Sequence, residues 1–117
     1  MIKFNSLVFL LILSSFHLHS QDLPKPSKDT LLVSFISIGA GTDHKAEDRL
    51  RLLVKDFELK NKVQFIVTIR NWGREGETDY SYDLTTLSKK QCKDFVDRIT
   101  KMFQENNLVK IRRSSHD

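Results

Sequence analysis

The sequence predicts an α+β fold of the ferredoxin-like kind, β-α-β-β-α-β, with two helices packed on one face of a four-stranded antiparallel sheet. Three observations predict it. Two amphipathic helical stretches are interleaved with four strand-like stretches in that order. The second and third strands are joined by a short turn bounded by Gly73 and Gly76. Right-handed crossovers then bring both helices to the same face.

The chain of 117 residues is 39% hydrophobic and 29% charged and contains one cysteine. That suits one modest domain. It excludes a disulfide scaffold, a collagen-like chain, a wholly disordered chain and a multi-span membrane protein.

The first element is not part of the fold. Met1 to Ser6 is a polar start carrying Lys3, and Leu7 to Phe16 is an apolar run. A spanning helix needs roughly 20 such residues, so the run reads as the core of a signal peptide. Residues 1–20 are expected to leave after the small Ser20, although Leu18 matches the minus-three position poorly. An uncleaved N-terminal anchor is the alternative. No cysteine follows the run to take a lipid. The expectation is an exported protein with no stable membrane span after cleavage.

Residues 21–29 hold both prolines, Pro24 and Pro26, and read as a linker; 30–113 form the domain and 114–117 a frayed tail. Thr30 to Ile38 is a β-branched, apolar first strand ending at Gly39-Ala40-Gly41. Thr42 or Asp43 can cap the helix that follows. Its Ala46, Leu50, Leu53, Val54 and Phe57 line one face, with Glu47, Asp48, Arg51, Lys55 and Glu58 mostly on the solvent face. Asn61 and Lys62 close it.

Val63 to Trp72 alternates as the second strand, with Val63, Phe65, Val67 and Ile69 toward the helices and Ile66, Thr68, Arg70 and Trp72 away from them. Thr78, Tyr80, Tyr82 and Leu84 share one face of the third, opposite Asp79, Ser81 and Asp83. Ser88 can cap a second helix striped by Cys92, Phe95, Val96, Ile99, Met102 and Phe103. Asn106 and Asn107 suit its stop, and Leu108 to Arg113 forms an edge strand. Of eight phenylalanines, Phe4, Phe9 and Phe16 depart with the leader, so five must build the core.

In this topology three connections meet at one end: Gly39 to His44, Trp72 to Asp79, and Asn106 to Asn107. All four glycines and the only tryptophan lie in the first two. The candidate binding residues there are Gly39, Gly41, Asp43, His44, Trp72, Arg74, Glu75, Glu77 and Asp79. The glycine loop leads into a helix N-terminus, which favours an anion, and Arg74 can hold one with two parallel hydrogen bonds. Set against this, Gly39-x-Gly41 lacks the third glycine of a dinucleotide fingerprint, Asp43 as a cap would use the same N–H groups, and tight turns need glycine anyway.

His44 and Asp48 stand four apart, as two ligands of one metal ion can, but helix first turns are acidic for dipole reasons, so no metal is assigned. Glu75, Glu77 and Asp79 sit in or beside an open hairpin turn, which keeps carboxylates ordinary. No catalytic residue and no cofactor are assigned. No Gly-x-Ser-x-Gly, His-Glu-x-x-His, P-loop or Cys-x-x-Cys occurs. Cys92 reads as a buried, inert thiol, able to pair with another chain only if exposed.

The formal net charge is +4, and the leader removes only Lys3. The basic residues are mixed with acidic ones, and Lys110, Arg112 and Arg113 form the nearest approach to a basic patch. Nucleic acid is therefore not an expected partner. The open sheet face, with Ile66, Arg70 and Trp72, is the second candidate surface, since Trp and Arg are common interface anchors. It also suits a homodimer.

Phe35-Ile36-Ser37-Ile38-Gly39-Ala40-Gly41-Thr42-Asp43 and Trp72-Gly73-Arg74-Glu75-Gly76-Glu77-Thr78-Asp79-Tyr80 resemble a group of small uncharacterised bacterial proteins. The resemblance spans most of the mature chain and carries no functional role with it. It implies a bacterial origin and, with the leader, a place in the periplasm or outside the cell.

The leading expectation is a non-enzymatic exported binding module for a protein or a small anionic ligand. The alternatives are a small hydrolase or lyase using His44 with Glu75, Glu77 or Asp79, and a self-associating structural subunit of the cell envelope.

Overall fold

A computed structural model describes residues 29–115; the expected leader, residues 21–28, His116 and Asp117 lie outside the described residues. Six elements follow one another: β1 (Thr30–Phe35), α1 (His44–Asn61), β2 (Val67–Asn71), β3 (Thr78–Asp83), α2 (Lys89–Phe103) and β4 (Val109–Ser114). The strands form one sheet in the order β2-β3-β1-β4, every neighbouring pair antiparallel. The chain has the α+β ferredoxin-like architecture expected from its sequence.

Local chemistry sets the helix ends. Asp43 accepts the Ala46 N–H at 3.0 Å and begins α1. Lys62 ends it in the left-handed region (φ 53°), and the Val63 N–H turns back to the Glu58 carbonyl at 3.2 Å. Ser88 and Gln91 start α2 by exchanging side-chain and backbone hydrogen bonds at 3.2 and 3.0 Å.

The helices cover the odd-numbered face of β1, where Leu31, Val33 and Phe35 are fully buried. All five phenylalanines of the domain are in the core. Phe95 of α2 is the hub: its ring centroid lies 4.4 Å from Phe65, 5.1 Å from Phe57 and 5.6 Å from Tyr82. Phe35 meets Tyr80 and Phe103 edge-on.

Several expectations need correction. β1 stops at Phe35 rather than Ile38. β2 starts at Val67 rather than Val63, because the Phe65 N–H is taken by the Glu58 carboxylate at 2.9 Å instead of by a neighbouring strand. Ile69 faces the helix side but is 58% exposed, since β2 is an edge and α1 does not reach over it. Ser114, assigned to the tail, pairs with Thr30. Asp29, assigned to the linker, accepts the Leu84 N–H at 2.8 Å and is clasped by Arg113 at 2.8 and 3.1 Å.

Candidate functional site

The open face of the sheet is organised in rows. Arg70 stands opposite Asp79, Asp79 opposite Ser34, and Ser34 opposite Lys110. The next row runs Thr68, Ser81, Leu32, Arg112. Ser34 and Ser81 are short on the two central strands while Arg70, Lys110 and Arg112 are long on the edges, so the face is hollow. The hollow measures about 580 Å³, with Leu32, Ser34 and Ile36 as its floor, Arg70 and Trp72 on one wall and Lys110 and Arg112 on the other. Three strand spacings of about 4.8 Å put the walls roughly 14 Å apart at the backbone.

Asp79 organises the Trp72 wall. One of its oxygens accepts the Trp72 indole N–H at 2.9 Å, and the other accepts Arg70 Nη2 at 2.8 Å. Burial pushes its carboxyl up, but hydrogen bonds from Ser34, Trp72 and Arg70 and the charge of Arg70 outweigh this and hold it below the usual carboxylate range. Trp72 is thereby fixed with 41% of its surface exposed. Among the described residues, Lys110 and Arg112 make no ion pair and no side-chain hydrogen bond, so their charges are open to a ligand. Asp79 was expected beside an open turn; it is the second residue of β3 and only 7% exposed.

The three connections expected at one end do meet. Asn106 donates to the second oxygen of Asp43 at 3.1 Å. The Ser37 hydroxyl donates to the Glu75 carboxylate and itself accepts the N–H groups of Gly39 and Gly41 at 3.1 and 3.0 Å. Glu75 also accepts the Gly41 N–H at 3.4 Å. These bonds keep Glu75 below its ordinary pKa, the Ser37 contribution being the largest. Asp43 is lowered too, first by the Ala46 N–H and then by Asn106. The glycine loop is thus satisfied by the protein's own carboxylate. Arg74, expected to hold an anion there, makes no side-chain contact with a described polar group. Gly73 is positioned by sterics: at φ 76°, the Glu77 carboxylate lies where a side chain would start.

His44 is a surface residue. Its Nδ1 lies 3.9 Å from Glu47, and no hydrogen bond or ion pair joins it to Glu75, Glu77 or Asp79. Among the described residues, no group of three or more histidine, cysteine or acidic side chains is placed to hold a metal ion.

Glu47 was expected on the solvent face of α1 and is 6% exposed. It accepts the Tyr80 hydroxyl at 3.1 Å and Arg51 Nη2 at 3.3 Å, with Thr42 at 3.4 Å. The signal was available: a tyrosine on the inner face of a strand needs a partner for its hydroxyl, and Glu47 sits at the flank of the α1 apolar stripe. Arg70 and Asp79 were legible together, because a turn pairing Trp72 with Glu77 places them opposite each other. The Cys92 thiol is buried, as expected. Burial pushes its pKa up, and Arg113 and Asp29 are its polar neighbours.

Compared with family models, with curated proteins and with solved structures, the chain finds no match in any of the three.

Proposed function

We propose that the chain is an exported binding module, without chemistry of its own, that seats a small anionic ligand in the hollow of its open sheet face. The observation that carries this is the pair of cations without a partner among the described residues, Lys110 and Arg112, lining one hollow of about 580 Å³ together with Trp72, whose indole N–H is held by Asp79. A carboxylate or phosphate meets the cations, and an apolar or planar body lies on Leu32, Ile36 and Trp72. A second copy packed face to face fits less well, because β4 cations would oppose either their own counterparts or Arg70.

The test is direct. Trp72 is the only tryptophan, so its emission reports on the hollow alone. Titration of the mature chain with a panel of aliphatic and aromatic carboxylates and phosphates should find ligands that shift the emission. Lys110→Ala with Arg112→Ala should weaken them about tenfold or more. Native mass spectrometry of the chain recovered from a cell envelope should carry such a ligand. Equal affinity in the double variant would sink the reading. Sequencing a recovered N-terminus that begins at or near Gln21 would support export.

A further inference from the structure

The hollow of the open face is lined by one acid and three bases, and the acid is already occupied. Asp79 is the one carboxylate among the lining residues, and Arg70, Lys110 and Arg112 are the cations. One Asp79 oxygen accepts the Trp72 indole N–H at 2.9 Å, and the other accepts Arg70 Nη2 at 2.8 Å. The Ser34 hydroxyl bonds to the same carboxylate. The Asp79 side chain is 10% exposed and that of Arg70 is 73% exposed. Asp79 is thus the covered member of the pair and Arg70 the member that solvent reaches.

The rest of the lining supplies donors or apolar surface. Lys110 and Arg112 carry N–H groups and no acceptor, and the Trp72 indole is a donor alone. Leu32 and Ile36 have no polar side-chain atom. Leu32 and Ser34 belong to β1, an inner strand whose backbone is paired on both sides. A ligand in the hollow therefore meets free cations and no free carboxylate.

We propose that Arg70 is the specificity-determining residue of this hollow: by occupying Asp79 it withholds the carboxylate, so the hollow takes carboxylates and phosphates whose far end is uncharged and rejects those that carry an ammonium group. This rests on the reading that the hollow seats an anion, and it states what the other end of that anion is. An ammonium group near Trp72 loses water and finds Asp79 paired. One beside the anionic head faces Lys110 and Arg112. Removing the guanidinium changes the first case and not the second. In Arg70→Ala, one Asp79 oxygen lies open beside a partly exposed indole, and carboxylate and ring attract an ammonium group together.

The experiment follows Trp72 emission of the mature chain with four probes: octanoate, 8-aminooctanoate, 3-phenylpropanoate and phenylalanine. The wild type should bind octanoate and 3-phenylpropanoate about tenfold or more tightly than their ammonium-bearing counterparts. Arg70→Ala, a change at a mostly exposed side chain, should tighten 8-aminooctanoate about tenfold and leave octanoate within about threefold. Phenylalanine, with its ammonium group beside the head, should stay rejected. Arg70→Lys keeps a cation on Asp79 and should behave as the wild type does. Adding Asp79→Asn to Arg70→Ala should cancel the gain, with circular dichroism showing that each variant is folded. If the wild type binds 8-aminooctanoate as tightly as octanoate, or if Arg70→Ala brings 8-aminooctanoate no gain, this inference is overturned and the anion seat stands. If neither octanoate nor 3-phenylpropanoate shifts the emission, the seat and the inference fall together.

Discussion

Asp79→Ala removes the acceptor of the Trp72 indole N–H at 2.9 Å and of the Arg70 guanidinium at 2.8 Å. A hydrogen bond to a charged group contributes about 1.5–3 kcal/mol. Arg70 is mostly exposed and regains water, so its share falls to a few tenths of a kcal/mol. The indole is only partly exposed, and the Ser34 bond is lost as well. Relief of the buried charge offsets part of this, leaving a net loss of about 2 kcal/mol. For a domain of this size that is a fall in Tm of about 10 °C. Urea unfolding, followed by circular dichroism and by Trp72 emission, measures it. The pH dependence supplies a sharper test. The folded pKa of Asp79 is depressed, so its stabilisation is complete above the ordinary carboxylate value of about 4 and is lost as pH falls through the lower folded value. The gap between wild type and variant should therefore close in acid. A gap under about 0.5 kcal/mol at pH 7, or one unchanged down to about pH 2, would refute the reasoning.

Four further outcomes follow from the packing. Glu47→Ala should cost about 2 kcal/mol by leaving the buried Tyr80 hydroxyl without its acceptor and taking from Arg51 one of its two carboxylate partners, and Glu47→Gln clearly less, in the same urea assay. Phe95→Ala should cost about 3–5 kcal/mol, since the ring touches Phe57, Phe65 and Tyr82. Gly41→Ala meets no atom within 4 Å but must hold φ 84°, so a loss of about 1 kcal/mol from strain alone is expected in thermal unfolding. The Cys92 thiol, buried and raised in pKa, should react with a disulfide reagent about a hundredfold more slowly in the native chain than in urea.

The architecture was legible because its signals are local and agree with one another. Ser88 with Gln91, Asp43 before Ala46, and the alternation of Thr78, Tyr80 and Tyr82 each specify an element without help from the rest of the chain. The meeting of the three connections followed from topology. What stayed hidden depends on long-range partners. Glu47 looks like any acidic residue of a helix first turn until Tyr80, 33 positions later, is placed beside it. Arg74 looked like the anion-binding residue of the glycine loop, yet the carboxylate of the neighbouring Glu75 takes the anion's place, held by Ser37 and the Gly41 N–H. The hollow was invisible for a related reason. Lys110 and Arg112 read as a solvated strand end, and only the order β2-β3-β1-β4 sets them at the far edge of the open face that Trp72 shares.

The clasp between Asp29 and Arg113 makes the domain nearly a closed ring. Its first and last strands are neighbours, with Thr30 beside Ser114, and both ends of the domain emerge at the pole away from the glycine loop and the hairpin. A short bridge between them, with new ends cut into the turn from Gly73 to Gly76, would give a circular permutant that keeps every strand neighbour. Fusions at either end of the domain, in turn, stand clear of the pole where the three connections gather.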